Sequence, residues 1–323
     1  MSDEILEVDL LAFETGDADA RKAVVDGLMR SLATGFVYVS HDVSDDLIDH
    51  AYELLERFFT LPAETKARFV APGTHGQTGY TGLLVETAAS AEVADWKEML
   101  NWAPDIAPGH PLKTRFPHRY HDQVLPESVV PGITEVLDAF HVAIADLQRR
   151  ILRIIATGLG AHESYFDKML VDGSTLSRAI HYPAMASAPD APHVWAGGHA
   201  DINLITALPR ATARGLQVQL KDEGRWIDAV APEGGAIINT GLMLEVISNG
   251  VIAPGYHRVV AGDDDAGDRY SVVQFCHPTP WTILSPLATC VTPQHPQRFA
   301  PIAAADALDL VLYEINLIED ARG

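Results

Sequence analysis

From about residue 174 onward the chain becomes a succession of short runs rich in β-branched and aromatic residues: LSRAIHYP, HADINLITAL, GLQVQL, RWIDAV, GAIINTG, GYHRVVA, RYSVVQFCHP and WTILSP. Gly, Pro, Asn and Asp separate them, the residues that turns demand. Many short strands in close sequence can bury their apolar faces only by packing sheet on sheet or closing on themselves. The pattern therefore predicts a sandwich or barrel.

The sequence before this point carries a different period. ADARKAVVDGLMRSLATG follows Asp17 and runs to Gly35, which reads as a capped helix, and GFVYVSHDV then reads as a strand. Ser44 is placed to cap a further helix. Its Leu47, Ile48, Ala51, Leu54, Leu55 and Phe58 fall at helical spacing, and Pro62 stops it. A long helix is predicted from about residue 131 to 157, with Ile133, Val136, Leu137, Phe140, Ile144, Leu147, Ile151 and Ile155 as its buried stripe. The stretch from Ala71 to His121, rich in Gly, Pro and His, reads as loops bordering a site. Near the end, ADALDLVLYEINLIED offers Leu308, Val311, Leu312, Ile315 and Ile318 for docking. The expected organisation is one compact unit over residues 1–323. It comprises a mostly helical region (1–173), a β core (174–290) and a C-terminal segment with a docking helix (291–323).

Composition narrows the classes of partner. With 47% apolar residues the chain can fill a large core without a disulfide or structural metal. Its formal charge of −21 repels phosphate backbones, and no basic stripe offsets that, so nucleic acid is not expected as a partner. No apolar run is long enough to span a bilayer, and MSDEILEVDL is acidic where a secretory leader is basic. The two cysteines, Cys276 and Cys290, form no metal-binding motif and suit a reducing compartment. A cytoplasmic protein acting on small molecules is expected.

Within HADINLIT, His199 and Asp201 stand one residue apart on what reads as a buried strand, so their side chains point to one face. An imidazole and a carboxylate are costly to bury singly, whereas two groups sharing one metal ion are not. His257 in PGYHRVV is a candidate third ligand. Two histidines and a carboxylate that leave open positions make the facial triad of non-haem iron(II) oxygenases. A bare HxD pair is more often structural than metal-bearing. Among 14 histidines, His193, His277 and His295 compete with His257. Further on, Arg269 and Ser271 in DRYSVVQF alternate to one face. A guanidinium fork beside a hydroxyl suits a small carboxylate. Tyr182 in IHYP offers a phenol to the same kind of group. The competing reading pairs Arg269 with the DDDAGD turn just before it.

The order HxD, a distant His, then RxS resembles the iron(II)- and 2-oxoglutarate-dependent oxygenases of the isopenicillin N synthase-like branch. VDLLAF, GFVYVSHDV, AYELLERFFTLPAETKARF, GYTGLLVET, HYP, GLQV, ISNG, HRVV and RYS follow in the order of that branch, so the likeness covers nearly the whole chain. It implies a double-stranded β-helix (jelly roll) flanked by helices. It also implies iron on His199, Asp201 and His257, the distal carboxylate of 2-oxoglutarate on Arg269 and Ser271 with Tyr182 as a further donor, and substrate beside Phe275. The implied reaction consumes O2 and 2-oxoglutarate, releases succinate and CO2, and hydroxylates, desaturates or cyclises a small molecule at an unactivated C–H. Two alternatives remain within the sequence: an iron-dependent oxidase of the same branch that needs no 2-oxoglutarate, and a non-catalytic jelly roll that binds a small molecule. The chain departs from the branch at His41, Asp42 and Val43, where HGV is usual, and at HYPAMA, where many relatives carry a Pro-rich stretch. Both departures bear on the substrate rather than the iron.

Overall fold

The computed structural model describes residues 4–74, 76–86, 93–189, 194–220, 224–261 and 267–314. The elements before residue 174 are β1 (Glu7–Asp9), α1 (Leu10–Thr15), α2 (Ala18–Ser31), β2 (Phe36–Ser40), α3 (Asp45–Phe59), α4 (Ala63–Ala67), β3 (Gly79–Thr81), β4 (Glu98–Trp102), α5 (Pro111–Arg115), α6 (Ile133–Gly158) and α7 (Asp167–Leu170). After it come β5 (Leu176–Tyr182), β6 (Ala196–His199), β7 (Ile205–Ala211), β8 (Leu216–Gln219), β9 (Trp226–Asp228), β10 (Gly235–Thr240) and α8 (Leu242–Ile247). The last elements are β11 (His257–Val259), β12 (Arg269–Cys276), β13 (Ile283–Leu284), β14 (Ile302–Ala303) and α9 (Ala304–Glu314).

Helix starts follow local chemistry. Asp17 accepts a hydrogen bond from Ala20 N to open α2, and Ser44 accepts from Leu47 N to open α3. The long helix α6 is capped from outside, because the Glu127 carboxylate accepts from Gly132 N at 2.7 Å and Thr134 N at 3.0 Å. Its expected stripe is buried except for Val136, which packs at the margin. In α9, Leu308 and Leu312 are buried and Val311 is half-buried, while Ile315 and Ile318 lie outside the described residues. Among the described residues, no helix is long and apolar enough to cross a membrane.

The strands form an eight-stranded sheet in the order β1-β2-β10-β7-β12-β5-β4-β3 and a four-stranded sheet in the order β6-β11-β8-β9. One face of the large sheet packs Val37, Val39, Ala207, Ile238 and Val272 against Leu137, Phe140, Ile144 and Ile151 of α6. The other face meets the small sheet, where Phe36, Met99, Ile180, Leu208 and Ile237 pack against Trp195, Leu216, Val218 and Val259. This is the double-stranded β-helix with flanking helices. The region before residue 174 also supplies strands, β1 and β2 at one edge and β4 and β3 at the other. The stretch 71–121 is therefore not all loop.

One local expectation is corrected. HADINLITAL is not a single strand: β6 ends at His199, β7 starts at Ile205, and Asp201 lies in the turn between them. The carbonyls of Asp201 and Ile202 accept from Leu242 N and Met243 N at the start of α8, so the turn is held by a helix terminus instead of a strand partner.

Candidate active site

His257 lies opposite His199 across the antiparallel β11–β6 pair, with the ring centroids 4.4 Å apart. Asp201 reaches the same point from the turn after β6, its Oδ1 3.7 Å from His199 Nε2. The ligand atoms of His199, Asp201 and His257 all lie within 4.8 Å of one another. Among the described residues no other such group of His, Cys, Asp and Glu comes together. Of the competing histidines, His295 Nε2 sits 2.9 Å from Asn249 O, His277 is half-buried and not among the three residues whose ligand atoms converge, and His193 lies outside the described residues.

The hydrogen bonds around the three groups leave the right atoms free for a metal. His199 Nδ1 is 2.8 Å from Gly197 O, and His257 Nδ1 is 3.1 Å from Gly255 O. A carbonyl only accepts, so each Nδ1 carries a proton and each Nε2 is the nitrogen left to face a metal. Thr206 Oγ1 and Asn239 Nδ2 both donate to Oδ2 of Asp201, at 2.5 Å and 2.7 Å. Oδ1 is the oxygen turned toward His199. Burial, reinforced by His257, pushes the His199 imidazole down to about 4, so it is neutral near pH 7. Burial alone would raise Asp201, but its attraction to His257 and His199 and the bonds from Thr206 and Asn239 outweigh this and hold it below the ordinary carboxylate range. Two imidazole lone pairs and one carboxylate oxygen make a donor set that fits a ferrous ion with open positions.

Neighbouring contacts fix these elements. Phe36 packs edge-on to the His257 ring at 5.9 Å. Asp95 Oδ1 accepts from Gly197 N at 3.2 Å, and Tyr256 OH donates to Gly198 O at 2.8 Å, so β6 is held on both sides.

Arg269 begins β12 opposite Tyr182 and is only 1% exposed. Its Nη1 donates to Ser271 Oγ at 3.0 Å and its Nε to Ala213 O at 3.2 Å, while the guanidinium lies 5.0 Å over the Tyr182 ring. Tyr182 thus meets Arg269 through its ring face. Among the described residues no carboxylate pairs with Arg269. Asp268, from the DDDAGD turn, goes instead to His181 Nε2 at 3.0 Å and Ala184 N at 2.8 Å. A buried guanidinium without an anion is costly, which suits it to an anionic ligand. A cavity of about 730 Å³ has Arg269 in its wall beside Leu208, Leu216, Ala229 and Ile237. None of the three ligands lines it, so this space belongs to the arginine end of the core rather than to the metal.

Phe275 lies on the Arg269 face of β12, opposite Leu176 on one side and Thr206 on the other. The Arg178 guanidinium sits 5.3 Å over its ring and donates from Nε to Asn101 Oδ1 at 2.7 Å. Sequence reasoning did not single out Thr206, Asn239, Arg178 or Asn101. The available signal was a polar residue in the middle of an apolar run, as in LITAL and GAIINTG.

Residues 8–127 match the family model described as non-haem dioxygenase in morphine synthesis N-terminal, and residues 174–278 match that of the 2OG-Fe(II) oxygenase superfamily. A 2OG-Fe(II) oxygenase family protein from Caulobacter crescentus superposes with a TM-score of 0.84 at 31% identity, covering 97% of this chain and all of that one (100%). A 2-oxoglutarate-dependent dioxygenase of Aspergillus flavus is 27% identical over 94% of this chain and 92% of its own length. A full-length Neurospora crassa protein, solved in complex with alpha-KG, shares the fold at a TM-score of 0.83 and 24% identity, with 95% of each chain covered. The chain belongs to the 2OG-Fe(II) oxygenase superfamily, in its isopenicillin N synthase-like branch, and is an iron(II)- and 2-oxoglutarate-dependent dioxygenase.

Proposed function

We propose that His199, Asp201 and His257 hold the ferrous ion, that Arg269 and Ser271 bind the distal carboxylate of 2-oxoglutarate with the Tyr182 hydroxyl as a further donor, and that the substrate sits beside Phe275. Iron and 2-oxoglutarate, once bound, would support reduction of O2 coupled to decarboxylation of 2-oxoglutarate to succinate and CO2 and to oxidation of an unactivated C–H; in hydroxylation, the simplest outcome, one oxygen atom goes to succinate and the other to the product. The chain's own contribution is placement. Gly197 O and Gly255 O orient the imidazoles, Thr206 and Asn239 turn one oxygen of Asp201 toward the metal position, and Arg269 supplies a charge preformed for a carboxylate.

The observation that carries this reading is the buried Arg269, tied to Ser271 and without a carboxylate partner among the described residues. It favours the 2-oxoglutarate reaction over a non-catalytic binder, because the same core also presents a three-ligand metal site. The substrate is a small molecule. The −21 charge disfavours nucleic acid and membrane surfaces, and two buried free thiols fit a reducing cytoplasm.

The test is iron-dependent release of succinate by the purified protein, with and without 2-oxoglutarate. Asp201→Ala is expected to lose bound iron and succinate formation while keeping its fold. An Asp201→Ala protein that still binds iron with full affinity overturns the ligand assignment.

A further inference from the structure

Arg269 is the first residue of its strand, and residues 262–266 before it lie outside the described set, so what fixes its backbone is a real question. A residue at a strand end is ordinarily held by fewer bonds than one in mid-ladder. The contacts on its inner face are those to Ser271, Ala213 and Tyr182. On the opposite face of the sheet a second set is gathered around His181.

His181 touches the residue on each side of Arg269 in the chain. Its Nε2 lies 3.0 Å from Asp268 Oδ2, and its ring stacks on Tyr270 with centroids 4.6 Å apart and planes 7° from parallel. The ring is itself held from behind, because Nδ1 lies 2.7 Å from Glu98 Oε1. Glu98 is 2% exposed and is anchored in turn by Lys66 Nζ, at 2.7 Å from each carboxylate oxygen, and by the Tyr80 hydroxyl. Burial would raise the Glu98 carboxyl, but the bonds from His181, Lys66 and Tyr80 keep it below the ordinary range and therefore ionised. Lys66 also donates to Phe59 O at 2.8 Å, tying the chain of contacts to α3. Asp268 uses its other oxygen on Ala184 N, which follows β5. Neighbours on both sides of Arg269 are thus tied to β5 through one imidazole.

We propose that His181 is a positioning residue for co-substrate binding: it clamps Asp268 and Tyr270, and so sets where the Arg269 guanidinium stands. This rests on the reading of Arg269 as the 2-oxoglutarate anchor. The clamp lies behind the sheet and touches neither the metal ligands nor Phe275, so its effect is confined to the co-substrate end.

The measurement is the affinity of iron(II)-loaded protein for 2-oxoglutarate, by calorimetric titration without oxygen, together with its affinity for iron. His181→Phe keeps a ring against Tyr270 and removes both nitrogens. It is expected to weaken 2-oxoglutarate binding by about tenfold, the scale typical of residues that orient a ligand-binding group, while iron affinity stays unchanged. In an Arg269→Ala background the same change is expected to cost nothing further, since the clamp acts only through Arg269. Asp268→Asn, at a side chain 45% exposed, makes the same comparison should His181→Phe fail to fold. Unaltered 2-oxoglutarate affinity in the folded variant, or an equal loss in both backgrounds, overturns the clamp. If Arg269→Ala alone leaves the affinity intact, the anchor reading fails and the clamp with it; if Arg269→Ala weakens binding and His181→Phe does not, only the clamp fails.

Discussion

His199 and His257 are oriented by the same device: each turns its Nδ1 to the carbonyl two residues earlier, Gly197 O at 2.8 Å and Gly255 O at 3.1 Å. The two strands carrying them are antiparallel, so the device presents both Nε2 atoms to one point between the strands. It works only if those carbonyls stay where they are. At Gly255 the backbone is pressed against its surroundings. A Cβ there would fall 2.5 Å from the Phe36 ring and 2.7 Å from Gly35 O, and Phe36 is the ring packed edge-on to His257. Gly255→Ala is expected to destabilise the fold by roughly 1–3 kcal/mol through overpacking and to weaken iron binding in parallel. Thermal unfolding and iron titration of one preparation check this, and a variant with lowered stability but wild-type iron affinity contradicts it.

Much of the fold could be read because local and long-range preferences agree. Ser44, the stripe from Ile48 to Phe58 and Pro62 all specify the same helix, and α3 forms there. Two features escaped for physical reasons. β3 and β4 lie in a Gly- and Pro-rich stretch; β4 takes its partner from the distant β5 and β3 pairs in turn with β4, so no local period marks them. Lys66 and Glu98 are buried against each other, whereas a charged residue read from sequence alone is placed on the surface. Asp201 is a subtler case. Alternation along a strand was the reason to pair it with His199, yet a turn held by α8 is what brings it in.

Asn239 and Thr206 share the task of fixing Asp201, both donating to Oδ2. Removing one donor leaves the carboxylate free to rotate its oxygens. Asn239→Ala is expected to lower iron affinity by about tenfold or more, and Thr206→Val to act in the same direction, with little change in secondary structure. Competition against a coloured iron chelator reads this directly. Wild-type affinity in both variants would mean that Asp201 is held by something else.

Arg269 offers a test of shape against charge. Lysine at this position keeps the positive charge but loses the planar fork and its stacking over Tyr182, so Arg269→Lys is expected to raise the apparent KM for 2-oxoglutarate by about tenfold. Ser271→Ala removes one neutral donor and is expected to cost only about fivefold, the worth of a single hydrogen bond. Succinate release in the absence of added substrate gives both values. A larger effect from the serine than from the arginine would reverse the assigned roles.

His141 gives the fold a pH dependence separate from the chemistry of the site. It stands on α6 behind the large sheet, 3% exposed, with Nδ1 2.8 Å from Ser177 Oγ. Burial pushes its imidazole down from the ordinary 6.5 to about 4. Between those values the unfolded chain binds a proton at this residue that the folded chain does not, so stability declines as pH drops from 6.5 and levels off once the folded-state value is passed. The full difference is worth about 3 kcal/mol. His277 and His199 are displaced downward by burial in the same sense, so some slope persists without His141. Denaturant unfolding at pH 8, 6.5 and 5 is expected to show wild type losing stability through the lower interval and His141→Asn losing distinctly less. At pH 8, where every one of these rings is neutral in both states, the variant is expected to be the less stable protein, because a packed ring and its contact to Ser177 have gone. A variant whose stability falls with pH as steeply as wild type would show that the buried imidazole is not what makes the fold sensitive to acid.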